Sequence, residues 1–192
     1  MYRAPSAAAR RVVAWLAPCA AVAALLAGCA SAATRSDPAS ASGCQSSGLR
    51  VALNEGAIGV GSGSAYVPIE FTNTAATSCS LRGYPRVAFV TGISGQPVGA
   101  TGVRYPGMPV HTVLLAPGAI AHAWLVVAAA TNYPQKVCHP VTANWLRIRI
   151  PGQAGYSYLQ HAFSTCAEVS LGGGRILSVL PVQSGPAKRG TA

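Results

Sequence analysis

The sequence concentrates its chemistry in cysteine. One of the six cysteines closes the run Leu26-Ala27-Gly28-Cys29, where small residues follow an apolar stretch. That arrangement has the form of a lipobox: the thiol takes diacylglycerol, the chain is cut just before the cysteine, and the freed amino group is open to another acyl chain. One acyl chain attaches only marginally, at about 0.8 kcal/mol per buried methylene, whereas two or three anchor stably. Upstream, Arg3, Arg10 and Arg11 form a positive region ahead of an apolar segment from Val12 to Ala27 that only Pro18 interrupts. Residues 1–28 therefore read as a cleaved signal peptide, and Cys19 leaves with it. A retained spanning helix needs about 20 predominantly apolar residues, and this run is shorter and broken by proline. The expected product is a palmitate-bearing lipoprotein of the cell envelope, held on the outer side of the cytoplasmic membrane by Cys29.

Four cysteines remain: Cys44, Cys79, Cys138 and Cys166. An even number in an exported chain implies two disulfides, with three possible pairings. If two strands form a hairpin, opposed positions are symmetric about its turn. The midpoint of 44 and 79 is 61.5, inside Gly59-Val60-Gly61-Ser62-Gly63; that of 138 and 166 is 152, in the Pro151-Gly152 turn. Antiparallel chains bring Cα atoms within about 5.5 Å, where a disulfide fits. Cys44–Cys79 and Cys138–Cys166 are the expected bridges. No C-x-x-C or H-x-x-x-H spacing supports zinc or redox work, so no metal or cofactor is expected.

Catalysis finds little footing. Hydrolysis needs a nucleophile, a base and a group that orients the base. The body offers His111, His122, His139 and His161 but only Glu55, Glu70 and Glu168, with no G-x-S-x-G elbow. Of the histidines, His122 lies on an expected strand and His139 beside a cysteine, and each reads more naturally as a rim or hydrogen-bonded core residue. The chain is read as no enzyme, with no catalytic residue assigned.

A surface offers more. From Trp145 to Ile150 the residues Leu146, Ile148 and Ile150 alternate with Trp145, Arg147 and Arg149, placing an indole and two guanidinium groups on one face of a strand. Aromatic rings stack on sugars and arginines pair with phosphate or carboxylate, so Trp145, Arg147 and Arg149 are the candidate binding surface. The structural alternative is a solvated strand whose arginines prevent edge pairing.

These residues need a scaffold, and the pattern around them is β. Apolar residues alternate in Leu49–Leu53 and Ala65–Thr72. Further strands are expected at Arg86–Thr91, Val110–Leu115, Ile120–Ala128, Trp145–Ile150, Tyr156–Phe163 and Arg175–Val182, separated by Gly, Pro and Ser punctuation. Ile120–Ala130 also suits a helix, but its β-branched content favours a buried strand. Short strands so spaced make an all-β sandwich or barrel. The expected organisation is signal peptide 1–28, lipidated cysteine and flexible tether 29–43, one domain 44–183 and a flexible tail 184–192. The Ala/Ser/Thr-rich tether should reach roughly 20 Å.

Without the three signal arginines, 11 basic residues face four acidic ones, a net charge of +7. Such a balance attracts anionic partners. For a tethered exported domain these are the membrane, an anionic cell-wall polymer or an envelope protein, and not nucleic acid.

The chain resembles an actinobacterial envelope family called domain of unknown function 4232. The resemblance rests on Cys44, on Phe71-Thr72-Asn73-Thr74 and Cys79-Ser80-Leu81-Arg82-Gly83-Tyr84-Pro85, on Leu115-Ala116-Pro117-Gly118, on Ala121-His122-Ala123-Trp124, and on Cys138 and Cys166. It implies a secreted or lipid-anchored, immunoglobulin-like antiparallel β-sandwich and brings no activity to any position. One departure is that the loop from Thr91 to Gln96 lacks an acidic residue, which weakens any calcium site there. The expected role is non-enzymatic interaction or assembly; the alternatives are a glycan or small-ligand binding module and a hydrolase.

Overall fold

The computed structural model describes residues 41–168, 170 and 175–190. Cys29 and the signal segment lie outside the described residues. Within them the chain is an antiparallel β-sandwich of strands β1 (Leu49–Leu53), β2 (Gly59–Gly61), β3 (Ser64–Asn73), β4 (Cys79–Arg82), β5 (Arg86–Val90), β6 (Val103–Arg104), β7 (Thr112–Leu115), β8 (Ile120–Ala128), β9 (Pro140–Arg149), β10 (Ser157–Cys166), β11 (Leu177–Val179) and β12 (Gln183–Ser184), with a short helix α1 (Gln135–Cys138).

The larger sheet runs β1-β3-β8-β11-β6, with β2 on β3 and β12 on β8. A three-stranded sheet, β10-β9-β5, and a β4-β7 ribbon complete the sandwich. Period-two alternation sends Val67, Ile69 and Phe71 of β3 inward to meet Phe89 of β5, Leu146 and Ile148 of β9, and Leu81 and Leu115 of the ribbon in one buried cluster. Phe89 and Phe163 pack with ring centroids 5.1 Å apart.

Ile120–Ala128 is a strand with both faces covered, which explains its unbroken apolar reading. Its second face lies under Ala57, Leu180 and Ala187, which enclose Trp124. Residues 184–190 are therefore not a loose tail. β12 pairs with β8, the Ala187 N–H donates to Glu70 Oε1 at 3.0 Å, and Arg189 Nη2 donates to Gly56 O at 3.0 Å. An apolar outer face on β8 demands a lid, and the C-terminal segment supplies it. At the other end, pairing starts before Cys44: the Ser80 N–H donates to Ser42 O and the Cys44 N–H to Ser80 O, both at 2.9 Å. The stretch expected to be tether is thus already docked at Ser42 and Gly43.

Both disulfides pair as expected, Cys44–Cys79 and Cys138–Cys166, with Cα separations of 4.8 and 4.7 Å. On the loop-entropy model each contributes about 3 to 4 kcal/mol. Their settings differ from simple hairpin clasps. β1 does oppose β3, Leu49 against Asn73, but Cys79 lies beyond β3 on β4, where Gly43 meets Ser80 in a parallel bridge. The first disulfide therefore ties the approach to β1 to a different sheet. Gly59–Gly61, expected as turn, is strand β2, and the reversal is the two-residue turn Ser62-Gly63, with φ of 48° and 70°. Positive φ at both central residues suits the twist of a hairpin, and Gly63 adopts it without strain. The second disulfide sits two residues off the β9–β10 register, which opposes Cys166 to Pro140, because Cys138 ends α1 and His139 turns the chain through a φ of 46°.

Candidate anion-binding site

The β9 alternation holds: Leu146, Ile148 and Ile150 are buried, while Trp145, Arg147 and Arg149 are half-buried on the other face. β5 and β10 flank β9 and complete that face. Register sets Arg86 directly opposite Arg149, Ala88 opposite Arg147, and Tyr158 opposite Arg147 on the other side. Tyr156, next to the start of β10, lies beneath both guanidinium groups, whose carbons are 5.0 Å (Arg147) and 4.8 Å (Arg149) from its ring centroid. Arg149 Nη2 also donates to the Tyr156 hydroxyl at 2.6 Å.

Two more arginines join from elements distant in sequence. Arg82 ends β4, and the turn through Gly83, Tyr84 and Pro85 leads straight into Arg86. Arg104 comes from β6, with its guanidinium carbon 5.3 Å from the Tyr84 ring centroid. β6 reaches this place because Gly102 squeezes past the sandwich: a Cβ there would come within 2.9 Å of Val179 Cγ2 and 3.2 Å of the Val87 carbonyl oxygen. The Gly102 N–H meanwhile donates to that carbonyl at 2.8 Å. Three adjoining open depressions result. One of about 330 Å³ is lined by Arg82, Tyr84, Arg86, Arg104, Arg149 and Gln153, among others. The second, about 320 Å³, adds Arg147 and Tyr156, and the third, about 410 Å³, lies between Tyr84, Arg86 and Arg104.

No described carboxylate balances this charge. Glu55 lies 3.6 Å from His161, Glu168 3.0 Å from His139, and Glu70 accepts from Asn54 and Ala187. Like charges directly opposed across a sheet are destabilising, and Arg86 faces Arg149 with no acid to relieve them. The Arg149 Nε is buried without a hydrogen-bond partner. Guanidinium groups present five N–H donors in a planar fork, and those of Arg104, Arg147 and Arg149 lie over aromatic rings, which hold the forks and leave in-plane donors open. The chemistry on offer is capture of oxyanions.

Of the residues expected from sequence, Arg147 and Arg149 are brought together with a larger basic group, whereas Trp145 shares their face without lining the depressions. Arg82, Arg86, Arg104, Tyr84 and Tyr156 were missed. A signal existed for Tyr156, since reflecting Arg149 through the β9–β10 register lands on it. Arg82, Tyr84 and Arg86 share the short turn between β4 and β5, but only long-range pairing brings that turn and Arg104 to β9.

The histidines stand apart. His122 Nδ1 is 2.8 Å from Gly185 O, and the His139–Glu168 pair is more than half and about half exposed, respectively. No cluster of three metal-ligating side chains occurs among the described residues, nor any helix long and apolar enough to cross a membrane.

A protein-family model described as "Domain of unknown function (DUF4232)" matches residues 44–183. No curated protein matches the sequence.

Proposed function

The chain belongs to the domain of unknown function 4232 family, and within it we propose a non-enzymatic lipoprotein of the cell envelope. In this reading Cys29 carries the lipid, the segment after it tethers the sandwich to the outer side of the cytoplasmic membrane, and the arginine surface binds an anionic envelope partner. The observation that carries the binding role is the gathering of Arg82, Arg86, Arg104, Arg147 and Arg149 with no described carboxylate among them. Two formed disulfides support an oxidising compartment. The lipobox at Leu26–Cys29 supports the anchor.

The two halves of the proposal are tested separately. Radiolabelled palmitate enters the wild-type protein and not Cys29→Ala; label that survives the substitution removes the anchor. At fixed salt, replacing Arg147 and Arg149 together by alanine weakens retention of the folded protein on isolated cell envelope. Unchanged retention removes the arginine surface from the binding role.

A further inference from the structure

Exposed apolar residues adjoin the arginines, and Val103 lines the same depression as Arg86 and Arg104. β6 and the turn after it expose Val103, Tyr105 and Met108 at 41, 42 and 37%, on either side of Arg104. The Tyr84 hydroxyl donates to the Met108 carbonyl at 3.4 Å, which holds this turn beside the ring that Arg104 covers. Apolar and aromatic side chains interleaved with arginine match the boundary between headgroups and acyl chains, where rings and aliphatic tips enter and cations meet phosphates.

Placement points the same way. Ser42 and Gly43 pair with Ser80, two residues before Arg82 on β4, a step of about 7 Å along the strand. The Ser46 N–H reaches Gln153 Oε1 at 3.3 Å, and Gln153 lines the depression that holds Arg82, Arg86, Arg104 and Arg149. The segment leading back to Cys29 therefore joins the fold beside the basic depression. Twelve residues separate Cys29 from Ser42, and the sequence expects such a stretch to reach roughly 20 Å.

We propose that this surface docks onto the anionic headgroups of the membrane that holds the lipid anchor. Phosphate oxygens sit among Arg82, Arg86, Arg104 and Arg149, and Val103, Tyr105 and Met108 enter the interface. The inference rests on the anchored reading above and adds an orientation to it: the domain lies on the membrane by its arginine face instead of floating above it.

The test uses the full chain with Cys29→Ser, disulfides intact, so that no acyl chain contributes. It is sedimented with vesicles of phosphatidylcholine alone or of phosphatidylcholine and phosphatidylglycerol in equal parts. Binding appears only on the anionic vesicles and falls steeply as salt is raised. Arg86→Gln and Arg149→Gln each weaken it roughly fivefold. Tyr105→Ser with Met108→Ser weakens it further while leaving the binding of a soluble glycerol-phosphate polymer unchanged. A chain that ignores anionic vesicles yet holds that polymer overturns membrane docking and leaves an anionic partner standing. One that binds neither, while its circular dichroism reports the folded sandwich, overturns both. Loss of palmitate label from the wild-type protein is a separate failure, that of the anchor.

Discussion

Two faces of the sandwich treat charge in opposite ways. On the outer side of β3 and β8, Glu70 Oε1 accepts from Asn54 Nδ2 at 2.8 Å and from the Ala187 N–H at 3.0 Å, and the C-terminal segment closes over Trp124. The charge there is answered from within the chain, and the unmatched atoms that remain are the ring nitrogens His122 Nε2 and Trp124 Nε1. On the outer side of β5 and β9, Arg86 and Arg149 stand opposite each other in register and no described acid lies among the arginines. Both faces carry ionised side chains on strands, so composition does not distinguish them. The difference lies in how the charge is met: on the first face hydrogen-bond donors of the chain satisfy the carboxylate, and on the second no described acid stands among the arginines.

The largest effect expected from this contrast is at Trp124. It is 1% exposed and is enclosed by Ala57, Leu180 and Ala187. Trp124→Ala empties that cluster at a cost of about 3 to 5 kcal/mol, read as a lower urea midpoint. Well below the midpoint, binding to anionic vesicles stays as in the parent. A midpoint that scarcely moves means that the C-terminal lid is not held by this burial, and the contrast between the faces loses its first half.

Glu70 is next. Glu70→Ala leaves the Ala187 N–H and Asn54 Nδ2 without their acceptor, a loss of about 1 to 3 kcal/mol. Glu70→Gln retains a carbonyl oxygen that can accept, so it loses less than alanine does. Amide hydrogen exchange at Ala187 separates the two variants, faster in alanine than in glutamine. Exchange at Ala187 that is no faster in Glu70→Ala than in the parent means that the carboxylate does not fasten the lid.

How far each face was legible in the sequence follows from the range of the contacts that build it. Alternation within one strand, β-branched content in Ile120–Ala128 and symmetry about one turn are local, and they located β1, β3, β8, the inward side of β9 and both disulfides. The register reasoning reached the right bridges although Cys79 sits on β4, because β1 and β3 oppose each other about position 61, close to the midpoint of the two cysteines. β4 is short and lies between Cys79 and a Gly-Tyr-Pro turn, so it offered too few alternations to be seen. The lid was invisible for a different reason: Ser184 to Arg189 has tail-like composition, and only the apolar outer face of β8 gives it somewhere to dock. Arg82, Arg86 and Arg104 come together through the β4–β5 turn, the β5–β9 pairing and the parallel β6–β11 pairing. The two pairings are long-range, and the alternation along β9 disclosed only two of the five arginines.

The smallest effect falls on the arginine face and bears most directly on the comparison. If Arg86 and Arg149 face each other without a counter-ion, removing one charge relieves repulsion instead of breaking a contact. Arg86→Gln should therefore leave stability unchanged or raise it by a few tenths of a kcal/mol, the opposite of what a truncation does at Trp124 or Glu70. The sign is decided by a double-mutant cycle with Arg149→Gln in low-salt buffer, where screening is weakest. A positive coupling between the two arginines identifies like charges held together by the fold. Adding inorganic phosphate then sharpens the result. A ligand that binds the folded state stabilises it by RT ln(1 + [L]/Kd), so phosphate raises the melting temperature of the parent and raises it less in either single variant. Should Arg86→Gln be clearly destabilising in the absence of any anion, its guanidinium already has its counterpart inside the chain, and the two faces differ in exposure alone.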